Sequence, residues 1–203
     1  MTSRLPDDYF DRVYEGSADP WRLGERWYEQ RKYAITMALL PHPRYRHAFE
    51  PGCSVGVLTE MLAGRCDRVT ATDVAQAALD SARRRLTADN VTLLRRSLDE
   101  PWPAGDFDLI LLSEVGYYMH ASALRAVLDR EVPRLTGPAT IVAAHWRHAV
   151  AEYPMAGDQT NTVIAATSGL HRIGGYLDED VVIDVFDTAS GASVAARTDV
   201  PGA

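Results

Sequence analysis

The chain has 203 residues, a length typical of one domain, and its formal net charge is −7. This acidic balance argues against a nucleic-acid partner, because neutralising a phosphate backbone requires a basic face. The longest apolar runs fall short of the roughly 20 residues of a membrane span, and the N-terminus lacks the apolar segment of a signal peptide, so we expect a cytoplasmic protein without a membrane partner.

Two helices are predicted ahead of the core, over residues 6–15 and 24–40, in a part of the chain that is rich in aromatic residues. These aromatic side chains could simply pack the helices onto a sheet. A second interpretation is that Trp21 and Tyr28 close over a bound ligand as a lid, since aromatic faces attract a cation. In both cases we predict that residues 1–40 form a helical cap.

Residues 45–73 have the pattern of a strand, a tight turn, a helix and a second strand. The first strand ends at Glu50, the turn passes through Gly52 and Gly56, and the second strand ends at Asp73. Gly52 permits a positive φ, and the missing Cβ of Gly56 would let a ligand approach the backbone. In a doubly wound sheet the two strand ends lie side by side, so Asp73 can accept hydrogen bonds from the ribose hydroxyls of a nucleoside.

The spacing of the glycines favours a cationic ligand over a dinucleotide. A pyrophosphate site uses G-x-G-x-x-G, whereas this chain has E-x-G-x-x-x-G, in which the carboxylate of Glu50 would repel a phosphate. S-adenosylmethionine, a sulfonium with an amino-acid tail, fits this pattern, and the segment resembles the first motif of class I methyltransferases. The alternative is a glycine turn in an unrelated α/β protein. We predict further cofactor contacts from Cys53, Ser54 and Val74.

The chain has two cysteines, Cys53 and Cys66, and we expect both to be free thiols.

The next three strands are predicted over Val91–Leu94, 107–115 and 139–146, with a helix over 75–86 before the first and another over 121–135 between the last two. Ligands of open α/β sheets bind outside the carboxyl ends of the strands. The residues at those ends are therefore candidates for the site. For the adenine they are Ser97 and Leu98, with Asp99 as the alternative. Ser113 and Glu114 are predicted to contact the cofactor, and Tyr117, Tyr118 and His145 follow at the same edge of the sheet.

The remainder of the chain is predicted as a loop over 152–161, a short helix over 162–169 and a pair of strands over 170–177 and 181–186. Residues 189–203 are small and polar, and we expect them to be disordered. The pattern as a whole predicts an α/β fold of the Rossmann-like class I methyltransferase type. It would have a seven-stranded, mostly parallel sheet, helices on both faces, a core over residues 41–188 and the N-terminal helices as a lid.

Several longer strings are more specific than the first motif. They are DDYFDRVYEGSADPW, WYEQRKY, FEPGCSVGVLTEMLAGRCDRVTATD, FDLILLSEVGYY and AAHWR. Over roughly residues 7–160 the chain resembles the nodulation protein S family of S-adenosylmethionine-dependent N-methyltransferases. The resemblance implies a small-molecule amine or amino sugar as the methyl acceptor and S-adenosylhomocysteine as a product. It also implies cofactor contacts at Glu50, Gly52, Ser54, Gly56, Asp73, Ser97 and Leu98, and a cleft lined by Glu114, Tyr117 and Tyr118.

An amine must lose its proton before it attacks the methyl group, and a carboxylate or a histidine can take that proton. Glu114 and His145 are the candidates for this role, with Tyr118 as a wall of the cleft or a donor to the substrate. Either of the first two could instead have only a supporting role. The residues near His145 do not supply a metal-ligand set, so no metal is expected.

Three alternative functions are open at this point, together with the oligomeric state. The same fold could methylate oxygen in a small metabolite, or it could bind S-adenosylmethionine without catalysis. An NAD-dependent oxidoreductase is the third alternative. We expect a monomer or a homodimer.

Overall fold

A seven-stranded sheet forms the centre of the protein, whose computed structural model describes residues 3–189 and 192–202. In chain order the strands are Tyr45–Pro51 (β1), Cys66–Asp73 (β2), Val91–Arg95 (β3), Leu109–Ser113 (β4), Thr140–Trp146 (β5), His171–Leu177 (β6) and Val181–Asp187 (β7). Across the sheet the order is β3-β2-β1-β4-β5-β7-β6. The first five strands are parallel, and β7 runs antiparallel to both β5 and β6. The predicted seven-stranded, mostly parallel sheet is confirmed.

The helices lie on both faces of this sheet, and their bounds are Asp7–Glu15 (α1), Trp27–Ala38 (α2), Val57–Ala63 (α3), Gln76–Arg85 (α4), Ala121–Glu131 (α5), Gly157–Ala165 (α6) and Val194–Arg197 (α7). The central strand β4 shows why both faces are covered. Leu109 and Leu111 belong to one hydrophobic cluster, while Ile110 and Leu112 belong to the other. Alternate side chains of a strand point to opposite faces, so an unbroken apolar run requires a helical layer on each side.

The N-terminal helices pack beside the first turn of the core. Tyr14 of α1 and Leu23 of the α1–α2 connection are buried against Val55 and Ala75, which flank the ends of β1 and β2. The cap therefore lies at the carboxyl edge of the parallel strands, where the sequence predicts the ligand.

The structure differs from the sequence prediction in the segment after β5. Residues 152–161 are predicted as a loop, but α6 begins at Gly157 and ends at Ala165 rather than at Gly169. The side chains that this helix buries include the polar Thr160 and Asn161, so the apolar periodicity that marks a helix is missing. A Cβ at Gly157 would lie 2.2 Å from the carbonyl oxygen of Trp146, which shows how closely α6 approaches β5.

Two smaller differences concern helix ends and the C-terminal segment. The helix predicted over 121–135 ends at Glu131, and a 3₁₀ turn over Val132–Arg134 follows. Residues 189–203 are predicted to be disordered, but they include α7, where the Ala196 N–H donates to the Ser193 hydroxyl and Arg197 lies 2.6 Å from Asp187. Residues 190, 191 and 203 of that segment lie outside the described residues.

Candidate active site

A cavity of about 380 Å³ lies at the carboxyl ends of the parallel strands, beneath the N-terminal helices. Most of the residues that the sequence predicts for the site line it, namely Trp21, Tyr28, Glu50, Gly52, Cys53, Ser54, Asp73, Val74, Ser97, Leu98, Ser113, Glu114, Tyr117 and Tyr118. Gly56 and His145 are absent from this lining. The strand order brings the predicted residues together because β2, β1 and β4 are neighbours in the sheet.

The turn after β1 is held by the backbone of β2. The N–H groups of Gly52 and Cys53 both donate to the carbonyl oxygen of Thr72, at 2.7 and 2.9 Å. Gly52 has a φ of +74°, and a Cβ on it would lie 2.9 Å from a methyl group of Val115. Ser54 also has a positive φ, and its N–H donates to Asp73. The turn therefore has one conformation, and glycine is required at its start.

Gly56 has a structural role that differs from the predicted one. It precedes α3 with a φ of +80°, and a Cβ there would lie 3.1 Å from the Cβ of Ala82 and 3.3 Å from Leu86. The missing side chain allows α3 and α4 to approach each other. Gly56 does not line the cavity, so its predicted contact with the ligand stays a prediction.

Asp73 faces the cavity from the end of β2. One carboxylate oxygen accepts the Ser54 N–H and the other accepts the Ala75 N–H, each at 2.9 Å. The Val74 N–H interacts with the same carboxylate, and because a carboxylate has about four acceptor sites, some capacity remains for a hydroxyl group of a ligand such as a ribose diol. Burial raises the pKa of Asp73 above its usual value. Hydrogen bonds from a ligand would favour the ionised form.

Glu50, at the end of β1, is buried beside the turn. The Thr59 hydroxyl donates to its carboxyl group at 2.6 Å. Burial raises the pKa of Glu50 to about 8. Because β1 lies between β2 and β4, Glu50 separates Asp73 on one side from Glu114 on the other. A cation bound near the middle of the cavity would stabilise the ionised form of Glu50.

The end of the cavity near β3 is formed by Ser97 and Leu98. The Ser97 N–H donates to the side chain of Glu100 at 2.9 Å. Asp99, the alternative candidate for the adenine, instead accepts a hydrogen bond from Arg4 at 2.9 Å and does not line the cavity. The geometry therefore favours Ser97 and Leu98 at this end.

Glu114 follows β4 with a positive φ of 54°, and three donors contact its carboxylate. One oxygen accepts from Lys32 at 2.7 Å. The other accepts from the Tyr117 hydroxyl and from the Trp146 N–H. Burial alone would raise the pKa of Glu114, but the ammonium of Lys32 outweighs it, and the pKa lies below its usual value.

Lys32, which the sequence reasoning missed, is the cation that lies between Glu29 and Glu114 at the side of the cavity. Its side chain is 1% exposed, and its ammonium lies 2.7 Å from both Glu29 and Glu114. Burial lowers the pKa of Lys32, and the two carboxylates raise it by more. The signal in the sequence was the spacing of Glu29 and Lys32, three positions apart on a predicted helix. The same helix carries Tyr28 and Tyr33, whose rings lie within cation–π distance of the Lys32 ammonium.

His145 does not face the cavity, which corrects its predicted role as a base. The side chain is fully buried, and its Nε2 accepts the Gly116 N–H at 3.1 Å. Its Nδ1 lies 2.7 Å from Oδ1 of Asn161, whose amide group donates to Asp184, so Nδ1 carries the proton. Both ring nitrogens are occupied, and burial lowers the pKa of His145. It positions the loop after β4 and cannot take a proton from a substrate.

Aromatic side chains form the remaining wall. The Tyr118 hydroxyl lies 3.5 Å from that of Tyr153, a residue that the sequence reasoning did not select, and Tyr153 stacks on Tyr117 with ring centroids 5.0 Å apart. Burial raises the pKa of Tyr118 well above its usual value, so it is not a base at neutral pH. The Tyr28 ring packs edge-on against Trp146, and that of Trp21 against Tyr14.

Across residues 3–189 and 192–202 there is no group of three or more His, Cys, Asp or Glu side chains that could hold a metal ion. Within the same ranges, none of the helices has both the length and the apolar character needed to cross a membrane.

A sequence model of a known family, described as nodulation protein S (NodS), matches residues 9–193. The chain belongs to the nodulation protein S family. It is 31% identical to nodulation protein S of Bradyrhizobium diazoefficiens over 196 residues, covering 88% of this chain and 90% of the relative. It is 28% identical to nodulation protein S of Sinorhizobium fredii, covering 85% of this chain and 84% of that relative.

A solved structure has the same fold. The crystal structure of the N-methyltransferase NodS from Bradyrhizobium japonicum, in complex with S-adenosylhomocysteine, matches with a TM-score of 0.77 at 24% identity, covering 90% of this chain and 96% of that one. The predictions of the NodS family, of the Rossmann-like methyltransferase fold and of an S-adenosylmethionine-dependent methyltransferase are confirmed. In this NodS family member, Glu29 and Lys32, which the sequence reasoning did not select, also line the cavity.

Proposed function

We propose that this NodS family member binds S-adenosylmethionine in the cavity and transfers its methyl group to the amine of a small molecule or amino sugar. One observation carries this proposal. Three acidic side chains, Asp73, Glu50 and Glu114, line the cavity at the ends of the neighbouring strands β2, β1 and β4. This arrangement suits a ligand that has a nucleoside at one end and a positive charge near its middle. The NodS of Bradyrhizobium japonicum, an N-methyltransferase solved with S-adenosylhomocysteine, supports the same proposal.

The chain's own residues fit this cofactor. Asp73 lines the cavity and keeps acceptor capacity for a ribose hydroxyl, and Ser97 and Leu98 form the end of the cavity for the adenine. Glu50 is buried near the middle, where a positively charged amino-acid tail would restore its ionised form. When bound, the cofactor supplies an activated methyl group on a sulfonium, and aromatic side chains such as Tyr28 stabilise that charge.

The acceptor side carries a net negative charge. Glu29 and Glu114 bring two carboxylates and Lys32 brings one ammonium, all three lining the cavity. A wall of this charge attracts an ammonium group, which an amine acceptor carries at neutral pH. Tyr117, Tyr118 and Tyr153 offer apolar faces beside it. Positioning the amine near the methyl group then supplies much of the rate, as expected for a displacement between held reactants.

We propose that the enzyme works in the cytoplasm as a monomer or homodimer and acts on a small molecule rather than on nucleic acid. The transfer needs no metal in this scheme, because the methyl group is already activated and the chain's part is positioning and proton removal.

Calorimetry followed by methyl-transfer assays tests the proposal. S-adenosylmethionine should bind the wild-type protein, and Asp73→Asn should weaken binding at least tenfold. Glucosamine and its β-1,4-linked tetramer should be methylated, whereas N-acetylglucosamine, which has hydroxyls but no free amine, should not. Methylation of N-acetylglucosamine would indicate an O-methyltransferase, and binding without any turnover would indicate a non-catalytic module. Binding of NAD in place of S-adenosylmethionine would overturn the proposal.

A further inference from the structure

We propose that Glu29, on the capping helix α2, is the catalytic base that binds the acceptor ammonium and takes its proton, while Lys32 positions it against Glu114. The inference rests on the proposed function, since it names the residue that prepares the amine. The base then lies on α2 of the N-terminal cap and not at the end of a strand, where Glu114 and His145 lie.

The other candidates at the cavity are already committed. Three donors hold the carboxylate of Glu114, namely the Lys32 ammonium, the Tyr117 hydroxyl and the Trp146 N–H. His145 lies outside the cavity and uses both ring nitrogens. Asp73 and Glu50 lie toward the nucleoside side, on β2 and β1. This leaves Glu29 as the carboxylate that can act as the base, on the side of the cavity that also carries Tyr28.

Glu29 combines burial with free acceptor capacity. The residue is 8% exposed and lines the cavity. In the part of the chain that the structure describes, Lys32 is the one donor in contact with its carboxylate, at 2.7 Å. A carboxylate has about four acceptor sites, so most of them remain for an ammonium group.

A second polar group beside Glu29 points to a ligand. The hydroxyl of Tyr28 is buried and has no hydrogen-bond partner among residues 3–189 and 192–202, although the side chain lines the cavity. Leaving such a group unpaired costs about 1–3 kcal/mol. A ligand with hydrogen-bond donors and acceptors would satisfy it, and an amino sugar carries both next to its amine.

The charges around Glu29 suit a base. Burial raises the pKa of Glu29, and Glu114 raises it further, while Lys32 and Arg26 act in the opposite direction. The neighbouring phenols of Tyr28 and Tyr33 stay neutral, because burial raises the pKa of each. A carboxylate with a raised pKa is a better match for the proton of an amine.

The proposed step is balanced. An N–H bond of the bound ammonium breaks, and its proton passes to a Glu29 oxygen, which leaves the nitrogen lone pair free. That lone pair forms the N–C bond as the methyl–sulfur bond of the donor breaks and the sulfur becomes a neutral thioether. Glu29 then returns its proton to solvent when the product leaves.

Glu29→Gln keeps the size of the side chain and removes the base. The matched control is Glu25→Gln, an exposed glutamate in the connection just before α2 that pairs with Arg22. With glucosamine tetramer, Glu29→Gln should lower kcat about 100-fold and leave the Kd of S-adenosylmethionine within threefold. The pH profile should change as well: the rate should keep rising with pH toward the pKa of the bound amine, whereas the wild-type rate should level off earlier. A loss of kcat below threefold with an unchanged pH profile would overturn the inference.

A binding measurement tests Glu29 without any acceptor. Sinefungin carries an ammonium group where S-adenosylmethionine carries its reactive methyl, and S-adenosylhomocysteine carries nothing there. Glu29→Gln should reduce the preference for sinefungin over S-adenosylhomocysteine about tenfold, and Glu25→Gln should leave it unchanged. An unchanged preference in Glu29→Gln would contradict the inference. Failure of all three nucleosides to bind the wild-type protein would instead refute the proposed function.

Discussion

Lys32→Met tests whether the ammonium of Lys32 stabilises the fold by compensating the charges of Glu29 and Glu114. The substitution keeps an unbranched side chain of similar length, and it leaves Glu29 and Glu114 facing each other with no cation between them. Removing one partner of a buried ion pair costs about 3–5 kcal/mol, because the remaining charge is uncompensated. For a chain of this length each kcal/mol corresponds to about 2–4 °C, so we expect the Tm to fall by roughly 6–20 °C.

The assays are thermal unfolding for the Tm and urea unfolding for the free energy, both at pH 7, with Arg12→Met as the matched control. Arg12 and Asp8 form a pair of the same length, 2.7 Å, also within one helix, but both side chains are more than half exposed. That pair should contribute only about 0–1 kcal/mol. Replacing both carboxylates as well, with Glu29→Gln and Glu114→Gln, should recover most of the loss caused by Lys32→Met.

The pH dependence separates this cause from a packing defect. In the wild type Lys32 holds the pKa of Glu114 below its unfolded value, so this contribution to stability is present at neutral pH and is lost as the pH falls through the folded pKa. In Lys32→Met the two carboxylates take up protons more readily in the folded state. The difference in free energy of unfolding between the wild type and Lys32→Met should therefore become smaller as the pH falls from 7 to 5. The reasoning would be refuted if Lys32→Met lost no more free energy of unfolding than Arg12→Met, or if its difference from the wild type did not change with pH.

Three further predictions concern single positions. Gly56→Ala should destabilise the fold by about 1–2 kcal/mol in urea unfolding, because it combines a left-handed φ with contact to Ala82, whereas Gly16→Ala, which meets no atom within 4 Å, should be nearly neutral. S-adenosylmethionine binding near pH 7 should release up to about one proton from Glu50, measured by calorimetry in two buffers, and Glu50→Gln should abolish that release. Burial lowers the pKa of His145, so the wild type should lose stability as the pH falls below about 6.5, and His145→Gln should show a smaller loss over the same range.

The sheet was predictable from the sequence because its strands are short apolar runs separated by turn residues. The run LILL in β4 alternates between the two hydrophobic clusters, and this pattern requires helices on both faces. The helix α6 was not predictable in the same way. Its buried face begins with Gly157, Thr160 and Asn161, which serve close backbone packing and hydrogen bonding rather than apolar burial.

The cavity lining at the ends of β1, β2 and β3 was also predictable, since it depends on which residues follow these strands and on a general rule for open α/β sheets. The lining contributed by α2 was not. Lys32 and Glu29 reach the cavity only because of the way α2 docks over the strand ends, and nothing local in the sequence fixes that docking. His145 stands at a strand end like the residues that line the cavity. Its ring is held by Asn161, which lies on α6 but was predicted to be in the loop before that helix.

A crystal structure of the protein with S-adenosylhomocysteine and glucosamine tetramer tests the central claim most directly. We predict that the ribose hydroxyls will lie within hydrogen-bond distance of Asp73, that the adenine will lie beside Ser97 and Leu98, and that the acceptor amine will contact Glu29. A nucleoside bound outside this cavity, or an amine held away from the wall of Glu29 and Glu114, would contradict the account.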